Sequence, residues 1–545
     1  MDFWQGEASH RGRFALPTFS PHRHPTPRPM KKPTFLLYSL ILAGSTLGNL
    51  SAAQPALIKV DLDRTISVID PNIYGSFLEP LRRDDASRGI VYGPLYDPDS
   101  PLSDENGFRK EYIQQIKDLK VTAVRWPGGN FVSGYNWKDG IGPKDQRPVT
   151  LDLSRTRKES NQMGTDEYAA FCNLVGAENF ICINAGTGTI EDAAHWVEYC
   201  NAPAGTRYAD LRVKHGRAEP YNVKYWALGN EPDGPWQLGY KNKEDYAKFA
   251  IEAAKMMRAV DEDILLVAAG SSNYPLVTKR YDPKDGWTDW NDHVLDEMAG
   301  YIDYISLHRY VFQVLRGIEK PVFADEMSLG MEIDRLIEIT RGQIEKAMAK
   351  SETDRPIYIS FDEYGARANN LAGPLLLAQH LNAFIRHADI VKMANLTFLS
   401  SLVGITPEGA FKNSLYYPFY LYSNNARGTA LDVYTRCESY SNKVFKDIPY
   451  LDVTAVLNDA NGTVVVNVVN RSETDAIPAD IELQSGAYSG TAKVHLIHAD
   501  SIDATNTATE EKVRIATTDL SFTGNRISHT FPAHSFTQLE IPLQK

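Results

Sequence analysis

Two hydrophobic periods alternate along the middle of the chain. Eight short apolar runs, 72–79, 121–126, 179–184, 223–231, 264–270, 302–308, 356–363 and 391–397, have the length and continuity of strands buried on both faces. Between them, segments such as 108–119, 191–199, 243–260, 331–348 and 375–387 place apolar residues three and four apart, the spacing of an amphipathic helix. Strand then helix, eight times over, predicts an α/β chain folded as a parallel (β/α)8 TIM barrel over residues 72–415.

The period changes at both ends. Residues 58–69 alternate apolar with polar (Ile58, Val60, Leu62), which suits a half-exposed strand. Beyond about Tyr416 the helical period stops, and 453–457, 463–469, 492–497 and 535–541 read as short strands between turn clusters such as Asp459-Ala-Asn-Gly462 and Thr523-Gly-Asn525. The pattern predicts an accessory all-β sandwich, jelly-roll-like, over 416–545. The strand in 54–71 is expected to join it, making that domain discontinuous in sequence.

Residues 1–53 read as a leader. Met30-Lys-Lys32, an apolar run over 35–47 and Ser51-Ala-Ala53 have the three regions of a secretory signal peptide cleaved after Ala53. The run is short of the about 20 residues that span a bilayer. Met30 opens a better signal than Met1, so the Pro-, His- and Arg-rich stretch before it reads as an extension or a tail. The expected location is secreted or periplasmic, with no membrane attachment after cleavage. The leader carries six Lys/Arg and two Asp/Glu, so its loss takes the formal charge from −12 to −16. So acidic a protein is a poor candidate for binding nucleic acid or an anionic membrane, and neutral polysaccharide stays compatible. Cys172, Cys182, Cys200 and Cys437 lack the spacing of a zinc site or a disulfide scaffold; buried thiols are expected, with one bridge open in an exported protein.

Candidate chemistry lies where two apolar runs end. Val223-Lys-Tyr-Trp-Ala-Leu-Gly-Asn-Glu231 and Pro356-Ile-Tyr-Ile-Ser-Phe-Asp-Glu363 each close on a glutamate. Carboxylates at the C-terminal ends of barrel strands face the mouth, where catalytic groups of this fold collect. Two of them suffice to cleave a glycosidic bond: one protonates the departing oxygen, and the other attacks the anomeric carbon from about 5–5.5 Å away. Asn230 can bond the sugar 2-hydroxyl. Trp126, Trp137 and Trp236 are candidates for sugar-facing platforms or for core.

Trp226-Ala-Leu-Gly-Asn-Glu-Pro-Asp-Gly-Pro-Trp-Gln237, the segment from Val124-Arg-Trp-Pro-Gly-Gly-Asn130 to Pro143, Ile73-Tyr-Gly-Ser-Phe-Leu-Glu79 and Ile305-Ser-Leu-His-Arg-Tyr310 resemble the signature segments of the α-L-arabinofuranosidases of glycoside hydrolase family 51. The resemblance runs from about Ile58 to the C-terminus. It implies that Glu231 is the acid/base and Glu363 the nucleophile of a retaining hydrolase. It implies that Glu79, Arg125, Asn130, Asn230 and Tyr310 hold the furanose, with His308 near the nucleophile. Read as residues alone, His308 is equally a satisfied structural histidine and Arg125 an ion-pair partner orienting Glu79 or Glu363. Gly128 and Gly129 read as a tight turn rather than a phosphate loop. There are departures: Tyr364-Gly365 follows Glu363 where the family has Trp-Asn, and Phe398 stands where the eighth strand is expected to offer a glutamine.

The expected activity is exo-acting release of terminal α-L-arabinofuranosyl residues from an arabinose-containing polysaccharide or oligosaccharide such as arabinan or arabinoxylan. Two alternatives stay open. One is an endo-β-glucanase, xylanase or hydrolase of another furanoside on the same barrel; the other is a non-catalytic carbohydrate-binding protein. No cofactor and no metal are expected, since His-Glu-x-x-His, phosphate-loop and dinucleotide patterns are missing. Family relatives are often oligomeric, so a homo-oligomer is an expectation from the resemblance alone.

Overall fold

The computed structural model describes residues 55–80, 90–154, 156–272, 286–486, 488 and 490–544. The leader and signal segment lie outside these described residues.

Eight strands form a closed parallel barrel in chain order: Gly75–Phe77, Ala123–Trp126, Glu178–Cys182, Tyr225–Ala227, Leu265–Ala268, Tyr304–Arg309, Tyr358–Tyr364 and Val391–Thr397. Each falls on one of the eight apolar runs, with Glu178, Arg309 and Tyr364 one residue beyond them. The seam joins the last strand to the first, with Asn395 opposite Gly75 and Thr397 opposite Phe77. A Cβ on Gly75 would stand 2.5 Å from Asn395 Nδ2. The amide uses that space to donate to the carbonyls of Ser76 and Ala123, at 3.0 and 3.3 Å, tying together three strands.

Helices Lys110–Asp118, Thr165–Val175, Ile190–Asn201, Lys243–Val260, Trp287–Met298, Gly330–Ser351, Ala372–Arg386 and Tyr416–Asn425 follow the strands in turn. The last is a correction, because the sequence pattern ends its helical period at about Tyr416. Tyr416, Tyr417, Pro418, Phe419, Leu421 and Tyr422 are all buried, so this helix is apolar nearly all round and carries no amphipathic period to read.

The accessory domain is a nine-stranded sheet in the order Arg514–Ser521, Thr491–His498, Ser535–Pro542, Thr463–Asn470, Leu451–Asn458, Thr429–Arg436, Ala56–Val68, Ile477–Gln484 and Arg526–Phe531. The first strand of the chain sits inside it, antiparallel to Thr429–Arg436 and parallel to Ile477–Gln484. Val464, Val466 and Val468 pack with Ile58, Val60 and Leu539 in the core of this domain, while Val465 and Val469 face the barrel-side core. A strand with both faces covered reads as a run of valines. Asp452 anchors the domain to the seventh barrel helix, accepting from Asn382 Nδ2 at 3.0 Å and Arg386 Nη2 at 2.9 Å.

Among the described residues, all four cysteines are free, with Cys172, Cys182 and Cys200 buried. No described helix is long and apolar enough to cross a membrane.

Candidate active site

The C-terminal ends of the strands bring the charged candidates together. Arg125 is on the second strand, His308 on the sixth and Glu363 on the seventh; Glu79, Asn130, Glu231 and Tyr310 follow the first, second, fourth and sixth. Arg125 is fully buried, and a buried cation is stable only when paired and hydrogen-bonded. Its Nη2 donates to Asn230 Oδ1 at 2.6 Å, its Nη1 to Glu363 Oε2 at 3.2 Å, and its Nε lies 3.6 Å from Asp362 Oδ2. Below it lies the Phe77 ring, 5.3 Å from the guanidinium carbon, and Phe398 packs on Phe77 with centroids 4.5 Å apart.

Neighbouring residues on a regular strand face opposite ways, yet Asp362 and Glu363 both meet Arg125 and His308. The seventh strand departs from regular pairing here. Ser360 is opposite Ser306 and Glu363 is opposite His308, so two residues of the seventh strand stand against the single Leu307. A bulge of this kind re-aims side chains. It places the carboxylates of both Asp362 and Glu363 in the site.

Glu231 follows the fourth strand in the left-handed region, φ 45°. Trp236 Nε1 and Gln237 Nε2 donate to its Oε2 at 3.0 and 3.3 Å, and His308 Nδ1 lies 3.1 Å from its Oε1. The same Nδ1 is 3.4 Å from Glu363 Oε2, so one ring atom bridges the two glutamates. His308 Nε2 meets Asp362 Oδ1 at 3.2 Å, and Ser306 Oγ donates to that oxygen at 2.5 Å. Tyr310 donates its hydroxyl to Glu363 Oε1 at 2.6 Å and lies 3.0 Å from Thr397 Oγ1.

Asn130 joins the same network, and Glu79 is held beside it by the turn after the second strand. Gln237 Nε2 donates to Asn130 Oδ1 at 2.5 Å, linking Asn130 to Glu231. Glu79 accepts from the Phe131 amide at 3.0 Å. Gly128, at φ 112°, lets Glu79 approach, since a Cβ there would stand 2.5 Å from the Glu79 Cβ. Asn230 Nδ2 is buried without a protein partner, as a donor reserved for a ligand would be.

Burial is the largest influence on His308 and opposes its charge, but Glu363, Asp362 and Glu231 outweigh it and push the imidazole up to about 10. Burial raises Glu363 above its usual value; the charge of Glu231 adds to this, and His308, Arg125 and Tyr310 offset it only partly. Glu231 also feels burial, but donors from His308, Trp236 and Gln237 hold it below its usual value.

All eight sequence candidates thus fall in one site. Asp362 and Gln237, which sequence reasoning missed, complete it; the only cue to Asp362 was a second acid beside a candidate nucleophile. Of the candidate platforms, Trp126 and Trp137 are core, stacked on Tyr168 and Trp196, and Trp236 is exposed. Tyr364 is fully buried against His380, while Gly365 lies against the Tyr310 ring.

Residues 115–311 match the family model described as the alpha-L-arabinofuranosidase 1 domain, and residues 361–535 match the alpha-L-arabinofuranosidase C-terminal domain. The chain is 36% identical to a probable alpha-L-arabinofuranosidase C of Aspergillus clavatus, over 91% of this chain and 99% of that protein. It is 36% identical to an intracellular exo-alpha-(1->5)-L-arabinofuranosidase of Halalkalibacterium halodurans, over 84% of this chain and 93% of that protein. An arabinose complex of the Thermotoga maritima alpha-L-arabinofuranosidase superposes with a TM-score of 0.80 at 31% identity, covering 90% of this chain and all of that one. With such identity sustained across both the barrel and the accessory sheet, and with the GH51 alpha-L-arabinofuranosidase of Thermotoga petrophila superposing with a TM-score of 0.79 at 32% identity over 89% of this chain and 99% of that one, the chain belongs to the α-L-arabinofuranosidases of glycoside hydrolase family 51.

Proposed function

We propose that the protein releases terminal α-L-arabinofuranosyl residues from arabinan, arabinoxylan or their oligosaccharides with retention of configuration, using Glu363 as nucleophile and Glu231 as acid/base. The observation that carries this reading is the closeness of the two glutamates. Their facing oxygens and His308 Nδ1 lie within 4.8 Å of one another. That supports the about 5–5.5 Å carboxyl spacing of double displacement and is short of the roughly 6.5–9.5 Å that admits a water for inversion.

Tyr310 and Arg125 hold the two oxygens of Glu363 and aim it at the anomeric carbon. Asn230 Nδ2 meets the 2-hydroxyl, a contact that strengthens as oxocarbenium character grows. In the free site the shared proton favours Glu363, because His308, Trp236 and Gln237 all serve an ionised Glu231. A glycosidic oxygen is an acceptor, so its arrival draws that proton to Glu231 and leaves Glu363 ionised against Arg125. Glu231 then protonates the departing oxygen, Glu363 forms the glycosyl ester, and Glu231 deprotonates the water that cleaves it.

The active free enzyme therefore carries one proton on the pair, and kcat/KM against pH is expected to be a bell. Activity falls as pH rises through the raised member, when that proton is lost, and falls as pH drops through the lowered member, when a second proton neutralises the pair. His308→Gln removes the group that most lowers Glu231, so the acid limb is expected to move to higher pH; an unmoved limb contradicts this role for His308.

The named action of the Halalkalibacterium relative makes α-1,5-arabinan the first polymer to try. The expected result is monomeric arabinose from the start with little early fall in viscosity, and hydrolysis of aryl α-L-arabinofuranoside over β-D-galactofuranoside, β-xyloside and β-glucoside. Early viscosity loss favours the endo-acting alternative. Export is part of the same proposal and rests on residues 30–53: protein recovered from outside the cytoplasm should begin at Gln54, and an intact leader on cytoplasmic protein overturns it.

A further inference from the structure

We propose that the space between the two glutamates also takes one borderline transition-metal ion, of the Zn2+ class, in place of substrate, with Glu231 Oε1, Glu363 Oε2 and His308 Nδ1 as its ligands. Among the described residues this trio is the only group of three or more His, Cys, Asp or Glu side chains with ligand atoms close enough to share an ion.

Tetrahedral Zn2+ binds nitrogen and carboxylate oxygen at about 2.0–2.2 Å, which sets its ligands roughly 3.3–3.6 Å apart. His308 Nδ1 lies 3.1 Å from Glu231 Oε1 and 3.4 Å from Glu363 Oε2, already near two edges of that figure. The surrounding contacts are those that orient metal ligands. His308 Nε2 faces Asp362 Oδ1 at 3.2 Å, so a proton kept there leaves the Nδ1 lone pair for the ion. Asp362 is itself fixed by Ser306 Oγ.

Each carboxylate offers one oxygen to the ion while protein donors hold the other, and Glu363 Oε2 ligates with one lone pair while its other keeps the 3.2 Å contact with Arg125 Nη1. Tyr310 holds Glu363 Oε1; Trp236 and Gln237 hold Glu231 Oε2. Three protein ligands leave the fourth position of the tetrahedron to water. On binding, the ion displaces to solvent the proton on His308 Nδ1 and any proton on the glutamate pair, with no change of oxidation state. Mg2+ and Ca2+ favour six or more oxygen ligands and are not suited to a trio containing an imidazole. Competition with substrate rests on the proposed catalytic reading, whereas binding is read without turnover, so the two fail separately.

The test is calorimetric titration of the full chain with ZnCl2 in a non-chelating buffer. One ion per chain is expected, at least tenfold weaker in both Glu363→Gln and His308→Gln and displaced by saturating L-arabinose, with MgCl2 giving no saturable heat. Thermal unfolding of the variants confirms that they are folded. The unmodified protein supplies a second readout, since Co2+ should give the visible spectrum of a low-coordinate nitrogen–oxygen site that arabinose bleaches. In hydrolysis of an aryl α-L-arabinofuranoside, ZnCl2 should raise apparent KM and leave kcat unchanged. Absence of one-to-one binding, wild-type affinity in folded variants, or independent binding of Zn2+ and arabinose would overturn the proposal.

Discussion

Alanine at position 363 is expected to lower kcat on an aryl α-L-arabinofuranoside by on the order of 10⁴-fold or more, the scale on which removal of a nucleophile acts. The carboxylate it removes is held at both oxygens, by Arg125 and by Tyr310, and no other carboxylate in the site carries that pair of contacts. Azide entering the vacated space attacks the anomeric carbon in a single displacement, so any azide product should be inverted. Retained product, or more than a few per cent of wild-type kcat, reassigns the nucleophile. Loss of one partner of a buried ion pair costs up to about 3–5 kcal/mol. Asp362 and Asn230 still face Arg125, so the variant should fold with a lowered Tm, and Glu363→Gln should recover part of that Tm without recovering turnover.

Glu231→Ala is expected to divide substrates by leaving group. Oligosaccharides need the departing oxygen fully protonated and should slow by about 10²–10⁴-fold, the range of general acid catalysis, while glycosides of strongly acidic phenols form the glycosyl enzyme almost normally. Azide should then accelerate the second step and give a retained product, because it attacks the glycosyl ester from the face that water uses. The basic limb of kcat/KM should also disappear, since the proton it reports has lost its acceptor. Equal losses on all leaving groups would show that Glu231 is not the acid.

The barrel is legible in the sequence because its strands are covered on both faces, so each is a continuous apolar run, and a glutamate ending such a run stands out. Glu231 and Glu363 needed no more than that. Asp362 was hidden by the bulge opposite Leu307, since pairing register leaves no trace in residue type. Gln237 lies in a loop whose path is set by tertiary contacts, and nothing local marks it as the link between Asn130 and Glu231. The indoles of Trp126 and Trp137 resemble sugar platforms in composition, but their partners Tyr168 and Trp196 are distant in sequence. The eighth helix escaped for a related reason, as Tyr416–Asn425 is apolar nearly all round and periodicity reports only elements with a distinct polar face. The position expected to offer a glutamine is occupied by Phe398, whose ring supports Phe77 under Arg125, a role that hydrogen-bond reasoning from one strand would not suggest.

The covalent step is the centre of this account, and it can be caught directly. With Glu231→Ala, an activated aryl α-L-arabinofuranoside should load the enzyme faster than the weakened second step clears it. Peptide mass spectrometry after an acid quench should then find one pentosyl group on the peptide carrying Glu363, its ester surviving until azide is added. Turnover without any adduct, or an adduct on a residue other than Glu363, would contradict a retaining mechanism through this glutamate.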